Sequence, residues 1–181
     1  LKDTIQSLRK CTLPIELVII DNSQDKDYFD EVQRWTGEYC IRSPLNKGYG
    51  FGHNLALKYM PAAPYHLVLN PDVVIHEGCL EKMLEMLEKI PKIGLITPKI
   101  LNKDGTLQLL NKHDPNVLDL LIRRFVPKMV QEFLPIRRYM DNYVMMDYGY
   151  EASYEVPFVS GCFMLFRREI LNEIGGFDER F

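Results

Sequence analysis

The sequence predicts an α/β protein whose central sheet is mostly parallel and flanked by helices. Continuous apolar runs at 15–20, 66–69 and 93–97 are typical of strands buried on both faces. Helix-like segments lie between these runs; in the clearest one, 77–90, apolar residues recur every three or four positions. Because parallel strands need long crossover connections, this alternation indicates a parallel sheet covered by helices.

The remaining elements follow from shorter patterns. Helices are predicted over 3–9, 28–35, 51–60 and 168–174, and strands over 39–42, 158–159 and 163–166. Lys103-Asp104-Gly105 indicates a hairpin turn. The stretch 114–154 begins with a helical pattern and then loses any regular period. We therefore expect an ordered α/β half at 1–98 and a second half at 99–181 with a partly helical insertion.

Composition excludes several classes of function. The 181 residues suit one domain, and a net charge of −3 argues against a nucleic-acid partner. No apolar run approaches the roughly 20 residues that span a bilayer, and the N-terminus lacks the apolar core of a signal peptide, so we expect a cytoplasmic protein. The four cysteines and four histidines show no zinc-site spacing.

An acidic turn, Asn70-Pro71-Asp72, directly follows the strand predicted at 66–69. In open α/β sheets, ligands bind in the crevice outside the carboxyl ends of the strands. One aspartate there can hold a divalent cation, Mg²⁺ or Mn²⁺, that in turn binds a diphosphate. The competing interpretation is that Asp72 caps the helix that begins near Glu77, since these residues are ordinary turn formers.

A second strand also ends in an acidic residue, Asp21, and a glycine-rich turn at 46–52 lies between the two acidic sites. Asp21 could accept hydrogen bonds from a nucleotide base or ribose, or it could cap the helix that begins near Lys26. The glycines are spaced G-x-G-x-G, which is neither a P-loop nor a dinucleotide fingerprint. A close backbone approach to a ligand and a purely structural loop both stay open.

Five motifs in order make the chain similar to glycosyltransferase family 2, and most of all to its bacterial rhamnosyltransferase-like members. They are Ile-Asp-Asn-Ser at 20–23, Asn-Lys-Gly-Tyr-Gly-Phe-Gly-His-Asn at 46–54, Leu-Asn-Pro-Asp at 69–72, Val-Ser-Gly-Cys-Phe-Met-Leu-Phe-Arg-Arg at 159–168, and Gly-Gly-Phe-Asp-Glu-Arg-Phe at 175–181.

This resemblance implies a GT-A fold, with a nucleotide-sugar-binding half at 1–98 and an acceptor-side half at 99–181. It implies inverting transfer of a sugar, with rhamnose as the suggested one, from a nucleoside diphosphate to a hydroxyl of a polysaccharide or lipid-linked acceptor. A divalent cation is the implied cofactor. The implied location is the inner face of the plasma membrane, with peripheral membrane association.

The resemblance also implies roles for individual residues. Asp21 matches the base- or ribose-binding aspartate, and Asp72 the metal-binding carboxylate of a DxD-type motif whose first position here is Asn70. Two further sets match the glycine-rich segment beside the donor and the segment that borders the sugar and acceptor, respectively: Asn46, Gly48 and Asn54; and Ser160, Gly161 and Cys162.

Two departures from the family pattern limit these implications. Family members begin with a strand, ending in a Tyr-Asn-like pair, that has no counterpart before Leu1. Their general base belongs to a Glu-Asp pair expected beyond Phe181, so no catalytic residue is assigned and we expect the 181-residue chain alone to be nearly inactive. The alternatives are a non-catalytic nucleotide-sugar-binding module or fragment, and a nucleotidyltransferase that makes sugar nucleotides.

Overall fold

The computed structural model describes residues 1–23, 25–60, 63–114 and 116–180. Its elements, in chain order, are α1 (Lys2–Leu8), β1 (Val18–Asp21), α2 (Lys26–Thr36), β2 (Tyr39–Arg42), α3 (Tyr49–Tyr59), β3 (Tyr65–Leu69), α4 (Cys79–Lys89), β4 (Leu95–Ile96), α5 (Val117–Phe125), α6 (Lys128–Gln131), α7 (Leu134–Tyr143), a 3₁₀ turn (Met146–Tyr148), β5 (Phe163–Arg167) and α8 (Arg168–Ile174). The predicted α/β class is confirmed.

The chain forms two compact units. Unit 1 comprises Leu1–Ile96 together with Leu165–Phe181, and unit 2 comprises Thr97–Met164. The first boundary lies close to the predicted one at 98, while the C-terminal segment belongs to unit 1. The assignment of donor and acceptor roles to the two halves stays a prediction.

Unit 1 contains the paired strands that follow the predicted alternation. Strand β1 runs parallel to β2, with Val18 opposite Tyr39 and Asp21 opposite Arg42. The second sheet has the order β3-β5-β4, and here β4 and β5 are antiparallel, with Leu95 opposite Phe166. The sheet structure is therefore mixed at this pair, where the sequence pattern alone suggested parallel strands.

Most predicted bounds agree with the structure, and the differences have local causes. Strand β1 starts at Val18, later than the apolar run at 15–20, because its partner β2 begins at Tyr39. Of the strand predicted at 158–159, the structure shows an isolated bridge between Phe158 and Lys112. The predicted hairpin is confirmed by the bridge between Leu101 and Leu107.

Helix α4 shows how the apolar pattern builds the core of unit 1. Its periodic residues Leu80, Met83 and Leu87 are buried, and Leu87 is completely inaccessible to solvent. Ile5 of α1 and Val68 of β3 are buried as well.

Within the described residues, no helix is long and apolar enough to span a membrane.

Candidate functional site

Helix α1 forms hydrogen bonds to the turn that carries Asp72, one just before this residue in the chain and one after it. The hydroxyl of Thr4 donates a hydrogen bond to the carbonyl oxygen of Pro71 at 2.7 Å. The hydroxyl of Ser7 accepts one from the backbone N–H of Ile75 at 3.0 Å. Both α1 side chains are buried. The turn after β3 therefore has a fixed backbone, although it joins no further strand.

Asp72 itself is exposed at the surface of this fixed turn. The interpretation that it caps the next helix is wrong, because α4 begins at Cys79 after Gly78 and has no side-chain cap. Across the described ranges, its carboxylate has no hydrogen bond or ion pair. Local structure does not occupy this carboxylate, which is what a ligand of an incoming cation requires.

The residues around Asp72 fit a cation that arrives with its substrate. In the ranges that the structure describes, no group of three or more His, Cys, Asp or Glu side chains could hold a metal ion. Mg²⁺ is commonly held by one or two carboxylates together with waters and substrate phosphates, without a complete protein cage. Asp72, with the half-buried Asn70 two residues before it, provides oxygen atoms of the kind that such a shared site uses.

Asp21 is likewise not a helix cap. Helix α2 begins at Lys26, but its cap is Asp25, whose carboxylate accepts a hydrogen bond from the N–H of Tyr28 at 3.1 Å. The Asp21 carboxylate accepts hydrogen bonds from the backbone N–H of Ser23 at 2.8 Å and from its hydroxyl at 3.0 Å. Each carboxylate oxygen retains a further lone pair that a ribose hydroxyl or base N–H could use.

Asn22, for which the sequence predicted no role, lies between Asp21 and the glycine-rich turn. Its amide nitrogen donates to the carbonyl oxygen of Gly48 at 3.4 Å, so the end of β1 contacts the glycine-rich turn. Its amide oxygen is buried and has no partner among the described residues. A Cβ atom on Gly52 would lie 2.9 Å from the Asn22 amide nitrogen. A side chain at position 52 would therefore displace the Asn22 amide from its present position.

The glycine-rich turn is closed by its own residues. Gly48 has φ = 93°, a conformation that favours glycine, and it precedes α3, which starts without a side-chain cap. The side-chain oxygen of Asn46 accepts a hydrogen bond from the Gly48 N–H at 3.2 Å. The contact with Asn22 places this turn next to the end of β1, which is compatible with the predicted position beside a donor.

Asn54, farther along α3, is engaged by the C-terminal segment. Its amide oxygen accepts from the N–H of Phe177 at 2.8 Å, and its amide nitrogen donates to the Phe177 carbonyl and to the Glu179 carboxylate, each at 2.9 Å. A Cβ on Gly176 would lie 2.5 Å from the Asn54 oxygen, and one on Gly50 would lie 3.0 Å from the carbonyl oxygen of Asp178. The donor-side role predicted for Asn54 stays a prediction, and the observed role is structural.

A cavity of about 980 Å³ lies within unit 1 and is lined mostly by apolar side chains. Strands β1 and β3 both contribute to its wall, and Asn22 and Asn70 are among its polar lining residues. His53 and His66 also line it; burial lowers the pKa of each to about 4, with the charge of Arg168 as a smaller cause at His66. Both imidazoles are therefore neutral at pH 7.

The predicted acceptor-side residues Ser160, Gly161 and Cys162 belong to unit 2. All three are half-buried, and the N–H of Cys162 donates to the Ser160 hydroxyl at 3.4 Å. Cys162 carries a free thiol. Their relation to sugar or acceptor stays a prediction.

Comparison with known proteins decides the family. The model of the family "Glycosyl transferase family 2" matches residues 1–175. The chain belongs to glycosyltransferase family 2. Two relatives, N-acetylglucosaminyl-diphospho-decaprenol L-rhamnosyltransferases from Mycobacterium tuberculosis strains CDC 1551 / Oshkosh and ATCC 25618 / H37Rv, are each 25% identical over 179 residues. The match covers 93% of this chain and 57% of each relative, so the chain spans little more than half of their length.

A solved structure shares the fold of this family 2 chain. It is the mannosyltransferase PcManGT from Pyrobaculum calidifontis in complex with GDP-Man and Mn²⁺, with a TM-score of 0.62 and 14% identity. The similarity covers 98% of this chain and 43% of the mannosyltransferase. The predicted GT-A-type fold is confirmed, and so is the resemblance to rhamnosyltransferase-like members of family 2.

Proposed function

We propose that this family 2 protein is an inverting glycosyltransferase that moves a sugar from a nucleoside-diphosphate donor to a hydroxyl of a polysaccharide or lipid-linked acceptor. The observation that carries the proposal is the exposed carboxylate of Asp72, which no residue in the described ranges engages, on a turn fixed by Thr4 and Ser7. A carboxylate held in this way at the end of a strand suits a ligand better than a local turn contact.

Asp72 would hold the divalent cation, Mg²⁺ or Mn²⁺, with Asn70 beside it. When bound, such a cation supplies positive charge that stabilises a departing diphosphate. Asp21 would accept hydrogen bonds from the ribose or base of the nucleotide. The Asn22 amide donates to the carbonyl oxygen of Gly48, so the strand end that we propose for nucleotide binding contacts the glycine-rich turn.

The acceptor side of the proposal concerns residues 99–181. Ser160, Gly161 and Cys162 would border the transferred sugar and the acceptor. A carboxylate would take the proton of the attacking hydroxyl, because a neutral alcohol is a weak nucleophile. Inversion then follows from attack on the anomeric carbon opposite the leaving diphosphate.

The names of the relatives support a choice of substrates to test first. The two mycobacterial relatives are named as L-rhamnosyltransferases for a lipid-linked diphospho sugar, and the fold neighbour was solved with GDP-Man and Mn²⁺. We therefore propose rhamnose as the donor sugar to test first and a polyprenyl-linked saccharide as the acceptor. We also propose that the protein acts in polysaccharide biosynthesis at the cytoplasmic face of a bacterial membrane.

The test uses protein expressed from its complete gene. It is incubated with Mn²⁺ and either dTDP-rhamnose or GDP-mannose, together with a polyprenyl-diphosphate-linked N-acetylglucosamine. Transfer with release of a nucleoside diphosphate and an inverted anomeric centre is expected. Metal-dependent nucleotide binding without any turnover would instead indicate a binding module. Pyrophosphate release from a nucleoside triphosphate would indicate a nucleotidyltransferase.

A further inference from the structure

Helices α5 and α6 and the start of α7, all in unit 2, expose large apolar side chains to solvent. Val117 and Phe125 are each 73% exposed, and Met129 is 86% exposed. Single exposed apolar residues are ordinary on a soluble protein, but several large ones between positions 117 and 134 indicate a contact surface. We call it the apolar ridge, and its six residues are Val117, Leu118, Phe125, Met129, Phe133 and Leu134.

Hydrogen bonds fix the outward direction of the ridge on α5. Asp119, on the other side of this helix, is only 2% exposed. It forms a capping box with Asn116: its carboxylate accepts from the Asn116 N–H at 2.7 Å, and its N–H donates to the Asn116 side chain at 3.0 Å. Asn116 in turn donates to the hydroxyl of Tyr139 on α7 at 3.0 Å. Helix α5 thus buries Asp119, while Val117, Leu118 and Phe125 are exposed.

On α5 the exposed apolar residues share one face. Successive residues of an α-helix are rotated by about 100° around its axis. Val117, Leu118, Leu121 and Phe125 therefore all lie within one sector of about 100° on the surface of α5. All four are exposed. An ordinary surface helix buries such a face against its own core. On α5 these apolar side chains are exposed to solvent instead, and a partner with an apolar surface would bury them.

The charge of this segment differs in sign from that of the whole chain. Residues 117–138 contain five basic and two acidic residues, a net charge of +3, whereas the chain carries −3. One of the two acidic residues is the buried Asp119. The exposed Arg124 and Arg138 are among the basic residues next to the ridge. Arg137 forms ion pairs of 3.8 Å with Glu132 and with Asp141, just beyond the segment. With Asp141 included the net charge is +2, so the segment is apolar and net basic.

We propose that the apolar ridge docks on an anionic lipid surface. Apolar Phe, Leu and Met side chains flanked by Arg and Lys are the combination that binds at the interface of a membrane containing anionic lipids. A second copy of the chain would bring one segment of charge +3 against another, which is unfavourable. The inference deepens the membrane location proposed above by assigning a surface to it, and vesicle binding tests it separately from sugar transfer.

The experiment measures co-sedimentation of the full-length protein with lipid vesicles. Vesicles of phosphatidylcholine alone are compared with vesicles that also contain phosphatidylglycerol. Binding to the anionic vesicles, weakened by added salt, is expected. Arg124→Gln should weaken it about fivefold, corresponding to about 1 kcal/mol for one basic residue near the surface. The matched control Lys103→Gln alters an exposed lysine of the same unit outside the ridge segment and should leave binding unchanged.

A double variant tests the apolar contribution. Phe125→Ser with Met129→Ser should abolish most of the vesicle binding, while Leu45→Ser, which changes an exposed leucine of unit 1, should not. Absence of binding to anionic vesicles would overturn the proposal, as would binding that the double variant leaves intact. A dimer in solution that the double variant converts to a monomer, without a change in vesicle binding, would assign the ridge to self-association instead. Circular dichroism confirms that each variant is folded.

Discussion

The side chain of Asn54 bonds to both backbone polar groups of Phe177, 123 residues away in the chain. It accepts from the Phe177 N–H at 2.8 Å and donates to the Phe177 carbonyl at 2.9 Å. A primary amide with one acceptor and two donors is suited to this pairing. The last motif of the sequence is therefore attached to the helix that follows the glycine-rich turn.

The first prediction concerns this contact. Asn54→Ala should lower the free energy of unfolding by about 1–3 kcal/mol, because it leaves the part-buried polar groups of Phe177 unpaired. Hydrogen exchange at residues 175–180 should become faster. Nucleotide affinity should change little, because the observed contacts of Asn54 are to protein. Lys58→Ala, an exposed change on the same helix, serves as the control. A tenfold loss of nucleotide affinity with unchanged stability would favour a direct donor contact for Asn54.

The second prediction concerns Thr4. Thr4→Val keeps the shape of the side chain but removes the hydroxyl that bonds to the Pro71 carbonyl, so it should cost about 1 kcal/mol of stability. It should also weaken metal-dependent nucleotide binding, since the turn beneath Asp72 loses one support. Calorimetric titration and urea unfolding measure the two effects. Thr12→Val, at an exposed hydroxyl bonded to Glu81, is the matched change and should leave nucleotide binding unaltered.

The third prediction concerns pH. Burial lowers the pKa of His66 to about 4, from an ordinary value of 6.5, so the unfolded chain binds a proton that the folded chain excludes between these values. The contribution of the neutral His66 side chain to the free energy of unfolding is complete above pH 6.5 and is lost as pH falls toward 4. For this residue, unfolding should cost about 2 kcal/mol less at pH 5 than at pH 7.

His66→Phe should remove that part of the pH dependence, as measured by urea unfolding at both pH values. His53, whose pKa is also lowered to about 4, should retain its own part. The exposed His76 provides the control variant, His76→Phe. An unchanged pH slope in the His66 variant would show that this imidazole is not excluded from protonation by the fold.

The fourth prediction concerns Arg168, which is buried at the start of α8. Its guanidinium donates to the carbonyl oxygens of Leu57 and, at 2.7 Å, Met60 at the end of α3. Arg168→Met should destabilise the protein by about 2–3 kcal/mol, because charged donors to unpaired helix carbonyls are lost. Thermal unfolding measures the effect. Arg34→Met, on an exposed helix surface, should be close to neutral, and equal effects of the two substitutions would contradict this account.

Local patterns explain how much of the structure could be predicted. The bounds of β2 at Tyr39–Arg42 and of α8 at Arg168–Ile174 agree with the prediction, because turn residues and apolar periods delimit them. The cap of α2 follows from the sequence rule once the helix start is known, because Asp25 directly precedes Lys26 whereas Asp21 lies five residues before it.

Contacts between distant residues lay beyond the sequence argument. Asn22 reaches Gly48, and Asn54 reaches Phe177, through contacts that no local period encodes. The exposure of the apolar face of α5 could not be predicted either, because its apolar spacing is that of a helix packed on a core. On this helix Asp119, in its capping box with Asn116, is buried instead.

The most direct test of the proposed function is a titration of a nucleoside diphosphate into the complete protein with and without Mn²⁺. The account predicts binding that depends on Mn²⁺, and loss of that dependence in Asp72→Asn with no loss of fold. Asp27→Asn, at an exposed carboxylate in the first turn of α2, should behave like the wild type. Equal Mn²⁺-dependent affinity in wild type and Asp72→Asn would contradict the assignment of Asp72 as the cation ligand.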